Sequence, residues 1–238
     1  MITCSNLSKI FSGNSGIRDV NLEFSPGIIY GIIGHNGSGK TTLFNSIMGL
    51  YEPSSGFVSH GTVKTTDEKE FPQCRRKIAF LPGDDYLYPF LSCGENIELA
   101  TILRTGQKKL LPETNDLIRY FEVDTYLHKK FNECSSGMKK KVQLVISLIG
   151  EVETVIWDEP NNGLDIVSNI KIKNLLLHYK SRNATILFSS HVIEFLDNFV
   201  DHCVLLREGS VAENTGMENI ASLEKLFLNE PDCARLPW

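Results

Sequence analysis

Apolar positions fall into short blocks through the first sixty residues: Ile2 to Cys4, Ile17 to Phe24, Gly27-Ile-Ile-Tyr-Gly-Ile-Ile-Gly34, and Phe57-Val58 after a Pro53-Ser-Ser-Gly56 turn. Blocks of that length, bounded by Gly and Pro, predict short strands joined by turns. Between Ile28 and Leu50 a continuous apolar strand gives way to a glycine-rich turn. A helix follows, with Leu43, Phe44, Ile47 and Leu50 on one side. From Leu91 to about Gly150 the spacing is helical (Ile97, Leu99, Ile102, Leu103; Leu117, Ile118, Phe121; Val142, Val145, Ile146, Ile149), with breaks at Pro112 and over 132–137. That stretch predicts a helical insert. Beyond it come a strand over 154–157, a helix from about Ile166 to Tyr179, a strand over 184–188, a helix around 193–199 and a strand over 203–206. Alternating strand and helix implies a parallel sheet covered on both faces.

Composition leaves this picture intact and narrows the function. With 42% hydrophobic and 22% charged residues among 238, the chain has material for a substantial core in one large domain or two small ones. A net charge of −5 disfavours nucleic-acid binding as the main activity. The apolar runs are far shorter than the ~18 residues that span a bilayer, and the first residues lack a secretory pattern, so a cytoplasmic location is expected. Six cysteines, at 4, 74, 93, 134, 203 and 233, are scattered without a Cys-x-x-Cys pair and read as reduced, mostly buried groups. The charge is unevenly spread. Residues 129–141 hold five Lys and one Glu, 84–101 hold four acids and no Lys or Arg, and 209–238 hold five acids and two bases.

The turn after Ile33 reads Gly34-His35-Asn36-Gly37-Ser38-Gly39-Lys40-Thr41-Thr42, a full match to G-x-x-x-x-G-K-[ST]. Its glycines let backbone N–H groups face a phosphate chain, and the following helix adds its positive N-terminal end. Lys40 supplies a charge toward the β- and γ-phosphates, and the Thr41 hydroxyl is placed to ligate Mg²⁺. A chance match is expected in roughly 1% of chains this long, and the strand-turn-helix setting makes accident rarer still.

The second half of the chain narrows the choice among phosphate chemistries. Val155-Ile-Trp-Asp158-Glu159 is an apolar strand ending in two carboxylates. Asp158 is expected at the C-terminal edge of the sheet, beside the phosphate loop, where it can hold Mg²⁺. Glu159, pointing elsewhere, is the candidate base that polarises water. His191 closes the next strand at the same edge, a candidate sensor of the γ-phosphate.

Over essentially its whole length the chain resembles the ATP-binding subunits of ABC transporters. Asn132-Glu-Cys-Ser135-Ser136-Gly137-Met138 resembles the family's Leu-Ser-Gly-Gly-Gln signature, with Ser135 standing 23 residues before Asp158. Pro160-Asn-Asn-Gly-Leu-Asp165 resembles the D-loop that follows the catalytic Glu. His191 sits at the switch-histidine position, and Phe11 takes the place of the aromatic that stacks on adenine. The resemblance implies an α/β fold: a P-loop NTPase core with a parallel sheet, an N-terminal antiparallel β-subdomain and an inserted helical subdomain. The expected division is a core with its β-subdomain over about 1–85 and 151–210, a helical subdomain over about 86–150, and a C-terminal helical tail over about 211–238. It further implies ATP and Mg²⁺, and a head-to-tail dimer with a second ATP-binding subunit, alike or different. In that dimer Ser135, Ser136 and Gly137 meet the partner's ATP. A separate membrane-spanning permease subunit would carry the cargo and hold this chain on the cytoplasmic face of the membrane.

Three departures bear on that picture. The signature has Cys134, Ser136 and Met138 for Leu, Gly and Gln. The Q-loop glutamine position, after Ile78-Ala-Phe-Leu-Pro82, is Gly83, followed by Asp84 and Asp85. Either Asp84 substitutes in part as a metal ligand, or Mg²⁺ is held without this ligand. The short chain, the Leu-Pro after that strand and Leu87-Tyr88 are most like small bacterial export-type subunits. The expected function is ATP hydrolysis that powers transport through dimer closure and reopening. The alternative is an ATP-gated regulatory subunit that hydrolyses weakly because of Gly83. The acidic 84–101 stretch is expected to meet Lys and Arg on the permease, and Tyr86 to Phe90 either form the apolar core of that contact or pack inside the insert.

Overall fold

The computed structural model describes residues 1–13, 15–190 and 199–216. Two sheets organise it. The smaller is antiparallel, in the order β2 (Gly16–Phe24), β1 (Ile2–Ile10), β4 (Ser55–His60), β5 (Val63–Lys64). The larger runs β10 (Ser210–Gly216), β9 (His202–Arg207), β3 (Ile29–Ile33), β8 (Thr185–Ser190), β7 (Thr154–Trp157), β6 (Ile78–Leu81). Its strands are parallel except for β10, which pairs antiparallel with β9.

Central parallel strands are covered on both faces, and their continuous apolar runs follow from that. Alternate residues part to opposite sides. Ile33, Val155, Trp157, Ile186 and Phe188 enter the core shared with the helical insert and α6 (Ile166–Ser181). Ile32, Ile156 and Leu187 enter the core shared with the small sheet and α1 (Lys40–Ile47). Register sets the edge where chemistry is expected. Ile33 pairs with Ser190 and Trp157 with Phe188, so β3, β7 and β8 end at one edge of the sheet.

Helix α2 (Phe71–Arg76) precedes β6. The insert consists of α3 (Cys93–Thr105), α4 (Pro112–Tyr120) and α5 (Ser136–Ser147), with 3-10 turns at Val123–Tyr126 and Phe131–Glu133. A capping box starts α3: Ser92 Oγ accepts from the Glu95 N–H, and Glu95 accepts from the Ser92 N–H. The Arg104 guanidinium ties the insert to the core by donating to the carbonyls of Ser147, Arg76 and Ile78.

One expectation is corrected. Residues 211–216, assigned to a C-terminal helical tail, belong to β10. Glu208 and Gly209 both adopt positive φ, 46° and 81°, between the paired residues Arg207 and Ser210. That is the two-residue turn which folds a strand back on its neighbour. The rest of the expected tail, 217–238, and the expected helix over 193–198 lie outside the described residues. Among the described residues no helix is long and apolar enough to cross a membrane.

Candidate active site

The phosphate loop leaves β3 and enters α1 through Gly39, whose φ is 106°. A Cβ there would come within 2.7 Å of Ile17 Cγ2, so the small sheet closes directly on the loop. Only glycine meets both conditions at that position. Lys40 is buried, and its Nζ donates to the carbonyls of Gly34 at 2.6 Å and His35 at 3.1 Å. Burial lowers its pKa, while Glu159 and Asp158 act in the opposite sense and favour the charged form. The loop from Gly34 through Asn36, Gly37, Ser38 and Thr42 thus wraps a cation held near two carboxylates.

Asp158 is 3% exposed at the end of β7 and accepts two hydroxyl bonds of 2.5 Å, from Thr41 Oγ1 and from Ser189 Oγ. Glu159 follows in the left-handed region, φ 48°. Its N–H donates to Ser189 Oγ at 2.8 Å, and its Oε2 accepts from Asn162 Nδ2 at 2.5 Å. Two adjacent carboxylates are therefore aimed apart, Asp158 at the first turn of α1 and Glu159 toward the loop after it. A left-handed non-glycine residue at a strand end is strained, and such strain clusters at functional sites.

These groups border a cleft of about 480 Å³ that also touches Phe11, Gly16, Asp84 and Asn162. Phe11 stands edge-on to Tyr51, ring centres 5.2 Å apart, with the Lys9 ammonium 5.3 Å from its own ring centre. The Thr41 hydroxyl and the Asp158 carboxylate are hard oxygen donors already in contact. They suit Mg²⁺, which is commonly held by one or two protein oxygens plus substrate phosphates. Asp84 lies on the same cleft, and Gly83 abuts Asp158: a Cβ on it would sit 3.4 Å from Oδ2.

Ser135 caps α5, its hydroxyl accepting from the Met138 N–H at 3.3 Å, and the first turn carries Ser136 and Gly137. That turn lies against the loop after Glu159, since a Cβ on Gly137 would come within 2.9 Å of the Gly163 carbonyl oxygen. Asp165 caps α6 by accepting from the Ser168 N–H at 2.6 Å, a bond that lowers its pKa. His191 lies outside the described residues.

Several charges read from the sequence as surface are engaged within the chain. Asp85 accepts from Lys139 Nζ at 2.9 Å and Gln143 Nε2 at 3.0 Å, and Lys140 is 7% exposed. The basic stretch around Ser135 is therefore partly turned inward, and Glu95 belongs to the cap of α3. Sequence reasoning overlooked Ser189 and Asn162, which position the carboxylates. Two serines, Ser189 and Ser190, closing a fully buried strand after the apolar run Ile186-Leu-Phe188 were the available signal. Asn162 lies within the stretch that resembles the D-loop, but nothing in the sequence marked its bond to Glu159.

The family model described as "ABC transporter" matches residues 17–162. The ABC transporter ATP-binding protein NatA of Bacillus subtilis is 29% identical over 231 residues, covering 94% of this chain and 93% of its own. The bacitracin transport ATP-binding protein BcrA of Bacillus licheniformis is 30% identical over 232 residues, 96% of this chain and 74% of its own. Among solved structures, the ATP-binding cassette MJ0796, dimeric in a post-hydrolysis state with ADP and Pi, superposes with a TM-score of 0.81. That match has 26% identity and covers 91% of this chain and 99% of the other.

Proposed function

The chain belongs to the ABC transporter family as an ATP-binding domain and an ATPase, and we propose that it powers an export-type transporter as one half of a head-to-tail dimer docked on a separate permease. The observation that carries this reading is the bond between Thr41 and Asp158, which brings phosphate loop and strand-end carboxylates to one cleft. Phosphoryl transfer to water needs positioning and charge neutralisation more than covalent chemistry.

In this reading Lys40 and the loop N–H groups hold the phosphates. Thr41 and Asp158, with Asp84 as a further candidate, would hold Mg²⁺, which when bound would neutralise phosphate charge. Glu159 accepts a proton from the attacking water as the water oxygen bonds to the γ-phosphorus, and the bridging P–O bond breaks to release ADP. His191 contacts the γ-phosphate, and Phe11 packs on the base. Ser135, Ser136 and Gly137 meet the ATP held by the partner, with Asp165 near the same junction. The relative named for bacitracin transport supports a transport role, and the outward direction rests on the resemblance to small export-type subunits. The dimeric state of MJ0796 supports the pairing.

For the permease contact, the exposed Tyr88 and Phe90 supply apolar surface next to the insert. Asp85 and Glu95 are engaged within the chain, which leaves Asp84 and Glu98 as the acids that face outward. The regulatory alternative keeps one observation in its favour, the absence of a side chain at Gly83. Turnover separates the two: purified protein, alone and with a copurifying permease, is assayed for phosphate release. An export ATPase hydrolyses and is stimulated by its permease, whereas a regulatory subunit binds ATP and closes without release.

A further inference from the structure

Helix α5 is anchored from two sides. Gly137 lies against the Gly163 carbonyl, and further along, Lys139 and Gln143 bond the two oxygens of Asp85. Lys140 stands three residues from both Gly137 and Gln143, so its side chain leaves the helix between the two anchored faces. It is 7% exposed, and lysines that deeply buried are paired almost without exception. Helical side chains lean back toward the N-terminus, here toward the loops that follow β6 and β7. Those strands are adjacent and parallel, Leu81 beside Trp157, so Gly83 and Asp158 emerge together.

We propose that Lys140 is a further positioning residue of the nucleotide site: a buried cation that offsets the carboxylates at the strand edge, where residue 83 supplies no side chain, so that a terminal phosphate can approach them. The electrostatics agree. Burial lowers the lysine's pKa, and Asp85, then Asp158, Glu159 and Asp84, oppose that lowering. Lys139 is committed to Asp85 and Lys141 acts on Asp165 and Glu122, which leaves Lys140 as the α5 cation available to Asp158, Glu159 and Asp84. An added γ-phosphate brings further negative charge toward Glu159, so the offset matters more for ATP than for ADP.

This inference rests on the nucleotide reading of the cleft, and the experiment separates the two. MgATP and MgADP affinities are measured by calorimetry for wild type, Lys140→Gln, Lys140→Met and Lys140→Arg, with thermal unfolding as the structural control. The proposal expects either uncharged variant to bind MgATP about tenfold more weakly and MgADP no more than about twofold more weakly, with Arg keeping the wild-type ratio. Methionine, which is readily buried, serves should the amide variant fail to fold. Equal losses for both nucleotides, or unchanged affinity in the uncharged variants, overturn the role of Lys140 alone. Wild-type protein that binds neither nucleotide overturns the reading of the cleft and the inference with it.

Discussion

Thr41 and Asp158, 117 residues apart, meet in a hydrogen bond of 2.5 Å between the hydroxyl and Oδ2. The contact fixes the first turn of α1 against the end of β7 and leaves two oxygens where a hard cation would sit. Thr41→Val keeps the shape and removes the oxygen. The variant should fold with a stability loss of about 1–3 kcal/mol, while the Mg²⁺ concentration supporting half-maximal ATPase rises at least about tenfold. A magnesium titration checks this, and an unchanged midpoint would remove Thr41 from the metal site.

Ser189 joins the Asp158 carboxylate to the Glu159 backbone, donating to the one and accepting from the N–H of the other. Ser189→Ala strands both groups in a buried setting, which costs about 1–3 kcal/mol. Denaturant unfolding should show that loss. Turnover should fall about tenfold with little change in KM, because Glu159 loses the contact that holds its left-handed backbone.

Gly39→Ala tests the closure of the small sheet on the phosphate loop. The new Cβ meets Ile17 at 2.7 Å at a φ of 106°, and strain of this kind costs about 1–3 kcal/mol. The protein should unfold several degrees earlier and bind ATP at least about tenfold more weakly. Wild-type affinity in a folded variant would show that the loop tolerates displacement.

Buried thiols set an alkaline limit on stability. Burial pushes Cys4 and Cys93 up to about 12 and Cys203 up to about 11, from 9.0. A folded pKa above the unfolded one means that the unfolded chain loses its proton first as pH rises. The stabilisation is full below about pH 9 and drains away toward the folded values, by up to about 1.4 kcal/mol per pH unit for each thiol. Urea midpoints should therefore be level near pH 8 and fall steeply above pH 9. Cys4→Ala and Cys203→Ala should each flatten that fall.

Charge reversal at two neighbouring glutamates separates folding from docking. Glu95→Lys breaks the cap of α3 and should lower the melting temperature by about 2–4 °C. Glu98→Lys touches no cap, so it should leave melting unchanged and weaken copurification with the permease at low salt. Assembly unaffected at any salt would exclude Glu98 from the contact.

Most of the fold was legible because its signals are local. Apolar runs marked the buried strands, helical spacing marked the insert, and the phosphate loop announced itself through residue types that only a tight anion-binding turn requires. The misread strand at Ser210–Gly216 shows the limit: its polar sequence, ending Glu-Asn-Thr-Gly, has no apolar alternation, and the edge position with its two-residue turn created the strand. The site was legible in its reactive residues and not in their supports. Ser189 and Asn162 act through contacts made by tertiary packing, and composition cannot distinguish a solvated lysine run from one in which Lys140 is buried.

In the proposed mechanism Glu159 takes the proton from the attacking water in a cleft assembled by Thr41 and Asp158. Glu159→Gln keeps size and hydrogen bonding while removing the base, so phosphate release is the measurement that tests it most directly. Turnover should fall at least about 100-fold with MgATP still bound, and an ATP-dependent dimer should persist on size exclusion. Phosphate release at the wild-type rate from the Gln variant would contradict it.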